Sequence, residues 1–417
     1  MIMAKTLFIL PLFCFFFTKI QAQILIQSLD YYLKQGLQNS PLLNDYQNQI
    51  NSLAIDSLLI KAAQKPKVDA NAQLLYAPIY GNFGYDEAIT NGGNYMGIIG
   101  VSQNFLNRRE LRNIYEGINV QKRSLSNTSK ISNSELVKTI TNQYLSSFAD
   151  FSDLSFNKAS LKLIKDQMEI TRKLVESGIY KQTDFISLLI EAQSQEITIS
   201  QLNNQYQKDI RLLNQVCGIN DMNLVDLSLP EIQQKKMVDP FLSPLFFQYK
   251  IDSLKITNQK AAIDVRYRPK LNWFADAGVM SARPSTLNQH LGYSVGLNFS
   301  IPLYDGKQRK LEYQKILFSE NTRTYYESFF KRQYNQQIMQ LNNDLTATRE
   351  TLEQMKKQAN TAEQLMGMVK ALLNTGNISI TDVINAVKNY NNIIRNLNQL
   401  QIKVLQIINE LNYWMQQ

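Results

Sequence analysis

The sequence predicts a mainly α-helical chain with a membrane β-barrel part, built from a helix–strand–strand–helix–helix unit that occurs twice. Three observations predict it. Two stretches of about sixty residues lack glycine and proline while apolar residues recur at helical steps. Four segments of roughly ten residues alternate apolar and polar side chains. The punctuation of the first half returns at the same spacing in the second.

Composition limits the function. The chain has 417 residues, 44% of them apolar, which is enough for a sizeable core and argues against global disorder. Its 44 Lys and Arg against 35 Asp and Glu give a net +9, but only 19% of residues are charged and the basic ones are scattered. A nucleic-acid partner is therefore not expected. One histidine, His290, and two cysteines, Cys14 and Cys217, leave too few ligands for a His/Cys metal centre. No cofactor or catalysis is expected: Asp69, Asp86 and Asp276 lie on extended or loop segments, and no spacing pairs an acid with a base.

Residues 1–22 read as a secretory signal, with Lys5, an apolar run from Leu7 to Phe17 and a small residue at Ala22 before the cut. Cys14 leaves with the signal, so Cys217 has no internal disulfide partner and reads as a small residue on a helix interface. The next helix runs from Ser40-Pro41 to Lys65-Pro66, and its twin from Ser243-Pro244 to Arg268-Pro269, with 25 residues between prolines in both. Strands are expected over about 67–77 and 94–103, then over about 270–281 and 291–301. Val68, Ala70, Ala72 and Leu74 share one face in the first half; Leu271, Trp273, Ala275 and Val279, then Tyr293, Val295, Leu297 and Phe299, do so in the second. Pro78–Gly93 and Ala282–His290 are rich in turn formers and read as exposed hairpin loops. A helix from about residue 108 to about 175 follows, on the order of 100 Å long, and must pack sideways against others.

Both long helices end at a glycine. Gly178 lies 74 residues after Asn104, and Gly376 lies 74 after Pro302. Thr183-Asp184 follows the first glycine and Thr381-Asp382 the second, at equal distance. The repeats are thus 23–218 and 241–417, joined by an irregular linker over 219–240. No later segment has eighteen consecutive apolar residues, so only strands could span a membrane. Four strands cannot close, and an open sheet in lipid leaves backbone groups unpaired; eight strands need a dimer and twelve a trimer. Tyr95, Trp273 and Tyr293 suit an interfacial aromatic girdle.

The helix–Pro–strand junctions at Pro66 and Pro269, the segment Ile301-Pro302-Leu303-Tyr304-Asp305-Gly306 and the paired glycine turns carry a resemblance. Across the mature chain the sequence resembles the TolC-like outer-membrane efflux proteins. The resemblance implies a homotrimer with a twelve-stranded barrel in the outer-membrane lipid and a tunnel of about twelve helices crossing the periplasm. It also implies a passive exit duct of a tripartite efflux pump or type I secretion system. The implied partners are a periplasmic adaptor protein and an inner-membrane transporter of RND, ABC or MFS type. By the same resemblance the 219–240 linker belongs to an equatorial girdle.

The glycine turns would then lie at the periplasmic tip. Gly178 and Gly376 are suited to end the descending helices in a left-handed conformation, and each Thr-Asp pair to cap the returning helix. A second role for Asp184 or Asp382, repeated threefold at a constriction, is cation preference and closure; the resemblance favours Asp382. Two positions depart from the family pattern: Asn385 stands where a second acid often follows, and Ile378 where a gate arginine is frequent. Closure then falls to weaker contacts or to hydrogen bonds through Asn377, Ser379 and Tyr390. Val175, Ile179, Leu373 and Ile380 are candidates for apolar adaptor contacts, and ordinary helix packing is the competing explanation for each. The rival reading of the whole chain is a periplasmic or surface coiled-coil structural protein without a channel.

Overall fold

The computed structural model describes residues 26–90, 92–221, 223–236 and 239–415; the signal segment and its cleavage site lie outside them. The first half begins with β1 (Ile26–Gln27), α1 (Leu29–Asn39) and α2 (Pro41–Ala63). The hairpin β2 (Lys67–Tyr76) and β3 (Gly93–Phe105) follows, its loop carrying the short α3 (Glu87–Thr90). Then come α4 (Arg108–Glu176), α5 (Gln182–Cys217) and β4 (Asp226–Leu227). The second half contains α6 (Pro244–Arg266), β5 (Lys270–Ser281), β6 (Leu291–Ser300), α7 (Gln308–Asn374) and α8 (Ile380–Trp414).

Equivalent residues start equivalent helices. The Ser40 hydroxyl accepts from the Leu43 N–H at 3.4 Å and the Ser243 hydroxyl from the Leu245 N–H at 3.2 Å, each with proline in the first helical position. α2 and α6 both run 23 residues and stop just before a proline. Asn107 caps α4 through the Arg109 N–H at 2.9 Å. At α7 Asp305 takes that role, accepting from the N–H groups of Lys307 and Arg309, while Gly306 and Lys307 adopt left-handed angles. Each long helix is 67 to 69 residues, about 100 Å at 1.5 Å per residue.

The four long strands form one antiparallel sheet in the order β2-β3-β5-β6. The register places Val68, Val101, Ala275 and Val295 in one row and Leu74, Tyr95 and Ser281 in another, all on the same face. Gln103 is a polar residue on this face; it accepts from Trp273 Nε1–H at 3.0 Å and donates to the Gln64 carbonyl at 2.7 Å. The opposite face carries Asn71, Asn272, Asn298 and the pair Ser294–Asp276 at 2.6 Å. Phe274 lies on that polar face, over Gly296, where an added Cβ would come within 2.4 Å of the ring. The outer edges of β2 and β6 have no strand partner among the described residues.

The helices continue the same lateral order. Next to the sheet, α2 packs on α4, α4 on α6 and α6 on α7; farther away, α5 packs on α4, α4 on α8 and α8 on α7. Every level is therefore four helices wide, with α7 along one edge and α2 then α5 along the other. Midway, α1 and the two-residue parallel ladder β1–β4 lie against α4 and α5. The Tyr144 hydroxyl lies 2.7 Å from the Ser228 carbonyl and 3.0 Å from that of Gln27, holding the ladder down. Gly36 of α1 is buried against Ile140 and Cys217, and an added Cβ would approach Ile140 Cδ1 to 2.3 Å. Burial raises the Cys217 thiol to about 11, consistent with a packing role. The linker clasps α8, with Asn412 bonding the backbone of Gln233 and Lys235.

The apolar interior is a string of clusters along the axis. Tyr32, Tyr144, Tyr206 and Leu213 form one beside α1, and Phe246, Tyr334, Ile408 and Leu411 form its counterpart in the second half. A third joins α5, α7 and α8 at the far end. No helix among the described residues is long and apolar enough to cross a membrane.

Candidate functional site

The far end consists of two turns, 177–181 between α4 and α5 and 375–379 between α7 and α8. They are built alike. Gly178 (φ 74°) and Gly376 (φ 71°) are left-handed. The Gly178 N–H donates to the Val175 carbonyl and the Ile179 N–H to Leu174; Gly376 and Asn377 repeat this onto Leu373 and Leu372. This is the Schellman closure that glycine permits without a Cβ penalty.

The returning helices are capped by aspartates three positions in. Asp184 accepts from the Lys181 backbone N–H at 2.9 Å. Asp382 accepts from the Ser379 hydroxyl at 2.7 Å while its own N–H donates to the Ser379 oxygen at 3.1 Å. Thr183 and Thr381 take no part in these bonds, which corrects the expectation that each Thr-Asp pair caps as a unit. They occupy the second helical position, past the cap residue. Asp382 remains exposed and Asp184 half-buried.

The two turns hold each other. The Tyr180 hydroxyl donates to the Ile378 carbonyl at 2.5 Å. An added Cβ on Gly376 would meet Ile179 Cγ2 at 2.7 Å, so the backbone of one turn seats the side chain of the other. Burial raises the Tyr180 phenol above its ordinary value, and it stays a donor at any neutral pH. Ile378 packs against the terminal apolar cluster. Asn377 donates to Thr375 at 3.1 Å and Ser379 is committed to Asp382, so both serve their own turn. Tyr390 sits higher, its ring 6.1 Å from that of Phe156, and Asn385 is exposed on α8.

Of the four apolar candidates, Ile179 is exposed and Val175 half-buried. Leu373 and Ile380 are fully enclosed beside Leu188, Val369 and Val383, so neither is available to another protein. Sequence reasoning missed the groove of about 630 Å3 between α7 and α8, where Leu365, Met368, Tyr390 and Ile393 stand beside Ala362 and Ala386. The small residues Ala362 and Ala386 in its lining are the sequence signal that could have found it.

Above the tip polar groups tie α5 to α4 within the first hairpin and α8 to both of them across the hairpins. Gln195 of α5 donates to Asn157 of α4 at 2.7 Å, Asn391 of α8 bonds Ser160, and Lys388 pairs with Glu191 at 2.9 Å. Gln167 and Thr171, on the same line of α4, are buried without a hydrogen-bond partner among the described residues.

No family profile matches the chain, and no curated protein matches it in sequence. Solved structures do match in shape. The CmeC outer-membrane channel of Campylobacter jejuni superposes with a TM-score of 0.73 at 13% identity, over 93% of this chain and 85% of that one. The outer-membrane protein VceC of Vibrio cholerae gives 0.72 at 14%, over 93% and 95%. The open state of the MtrE outer-membrane channel of Neisseria gonorrhoeae gives 0.73 at 11%, over 93% and 88%. Nearly whole-length agreement at so low an identity is agreement of architecture: the chain has the fold of the TolC-like outer-membrane channels.

Proposed function

We propose that three copies of the chain form an outer-membrane duct that reaches into the periplasm and passively conducts cargo outward. The cargo would be delivered by an inner-membrane transporter of RND, ABC or MFS type through a periplasmic adaptor, in an efflux pump or a type I secretion system. The observation that carries this reading is the unfinished sheet. Its edges β2 and β6 are unpaired among the described residues, and one face exposes Leu74, Leu291, Tyr293, Val295 and Leu297. In water that face and those edges are costly; joined to two further copies, in lipid, they are satisfied. The same join brings α7 of one copy beside α2 and α5 of the next. At the tip, Asp382 supplies a ring of exposed carboxylates that favours cations, and the adaptor docks along Ile179, Val175 and the groove beside Met368.

Purified protein in detergent, sized by light scattering and recorded in planar bilayers, tests the reading. The expected result is a trimer with small, cation-preferring conductance, and a several-fold loss of that preference in Asp382→Asn. A water-soluble monomer with no affinity for detergent would support the coiled-coil rod instead. Unchanged selectivity in Asp382→Asn would remove that residue from the constriction.

A further inference from the structure

Four junctions join helix and strand at the sheet end opposite its hairpin loops: residues 61–67, 108–112, 264–270 and 305–312. Each carries three lysines or arginines, and together they hold twelve basic residues against four acidic ones. The hairpin loops at the other end, 77–92 and 282–290, hold Arg283 as their one basic residue, with Asp86 and Glu87. The sheet is therefore positively charged at one end. Lys65, Lys67, Arg108, Lys270 and Lys310 are all exposed.

Part of this charge is neutralised on the spot. Arg309 reaches Asp264 at 2.6 Å and Arg266 reaches Glu312 at 2.5 Å. Four arginines are not, and three of these share a groove. Arg109 and Arg112, at the start of α4, and Arg268, just past the end of α6, line one groove of about 400 Å3 between those helices. None of the three makes an ion pair among the described residues. Leu254 and Val265 give the groove an apolar side. Its two carboxylates are Glu116 and Asp264, and Asp264 is already held by Arg309 and Tyr313.

Guanidinium groups that converge without a carboxylate partner favour a phosphate, to which arginine presents parallel N–H donors. The position along the axis narrows the source. Arg109 lies four residues past Phe105 and Arg268 three before Leu271, where the apolar face of the sheet stops. In a membrane that level is the headgroup region, where clustered basic residues attract anionic lipid. We propose that this groove binds the phosphate of an anionic phospholipid in the periplasmic leaflet, with the glycerol and first acyl carbons against Leu254 and Val265. The inference rests on the outer-membrane reading above.

The trimer in neutral detergent would be titrated with phosphatidylglycerol, phosphatidylcholine or inorganic phosphate, and bound lipid counted by native mass spectrometry. Wild type is expected to retain phosphatidylglycerol at least tenfold better than phosphatidylcholine, weakening with salt, and R109Q/R112Q/R268Q to lose that preference. The lysine triple variant keeps the charge but loses the paired donors, and should fall between them. If the glutamine triple variant does not fold, R109Q and R268Q alone should each reduce the preference. Equal retention of both lipids by wild type, or an undiminished preference in every foldable variant, overturns the proposal. Displacement of all bound phosphatidylglycerol by millimolar phosphate would also overturn it in favour of a free-anion site. Insertion into pure phosphatidylcholine vesicles is scored separately: failure there sinks the duct reading, whereas insertion without lipid preference sinks only this one.

Discussion

At the scale of single residues, the most unusual ionisable group is Asp150 on α4. Burial, then the neighbouring Asp209 and Asp153, push its carboxyl up to about 7, and its Oδ2 is buried without a hydrogen-bond partner among the described residues. A carboxyl whose folded pKa is raised holds its proton more tightly folded than unfolded. Its contribution therefore favours the fold at acid pH and is lost as pH rises from about 4 to about 7. Asp150→Asn keeps the neutral form at all pH. Allowing for its half-exposed position, the variant should be about 1–2 kcal/mol more stable at pH 8 and little changed at pH 4. Melting curves of both proteins across that range decide it, and parallel pH profiles would show that Asp150 titrates normally.

At the scale of elements, the tip combines strong local closure with a weak join between hairpins. Each turn is closed by its own Schellman bonds, and each returning helix by its own aspartate. Between the two turns the contacts are the Tyr180–Ile378 bond, the Ile179–Gly376 contact and a small apolar cluster. Gln167 and Thr171, buried without a hydrogen-bond partner among the described residues, weaken this end of α4, because an unsatisfied polar group costs about 1–3 kcal/mol. Tyr180→Phe removes one bond worth about 0.5–1.5 kcal/mol while leaving the ring in place. The expected outcome is higher open probability and faster amide exchange confined to residues 174–186 and 370–386. Exchange spread evenly along α4 and α7 would contradict a local latch.

At the scale of the whole molecule, the exposed apolar residues follow the two edges of the four-helix layer. Leu311, Phe318 and Tyr325 recur every seven residues on α7 and continue at Phe329, while Tyr313 and Phe330 turn toward α6. Ile55, Leu58 and Leu59 are exposed on α2, the opposite edge. In the proposed trimer, the copies that complete the sheet would also cover these stripes, α7 of one against α2 of the next. Phe318→Glu should therefore cost each seam about 1.5–3 kcal/mol and shift trimer toward monomer, with helix content unchanged by circular dichroism. A variant that stays as trimeric as wild type on dilution would place the seam elsewhere.

Much of this was legible because the determining forces are local. Proline and glycine mark the ends of α2, α4, α6 and α7, and alternation along β5 and β6 gives both strands and their faces, so the duplicated, mainly helical class follows from the chain alone. Other features depend on residues far apart in sequence. Leu373 and Ile380 are as apolar as Ile179 in the text, yet only the packing of α5 against α7 and α8 encloses them and leaves Ile179 outside. The partnership of Tyr180 with Ile378, the fit of Gly36 over Cys217 and the convergence of Arg109, Arg112 and Arg268 were likewise decided by tertiary structure. Local rules set how a segment folds, but which of its faces meets a neighbour depends on where the rest of the chain lies.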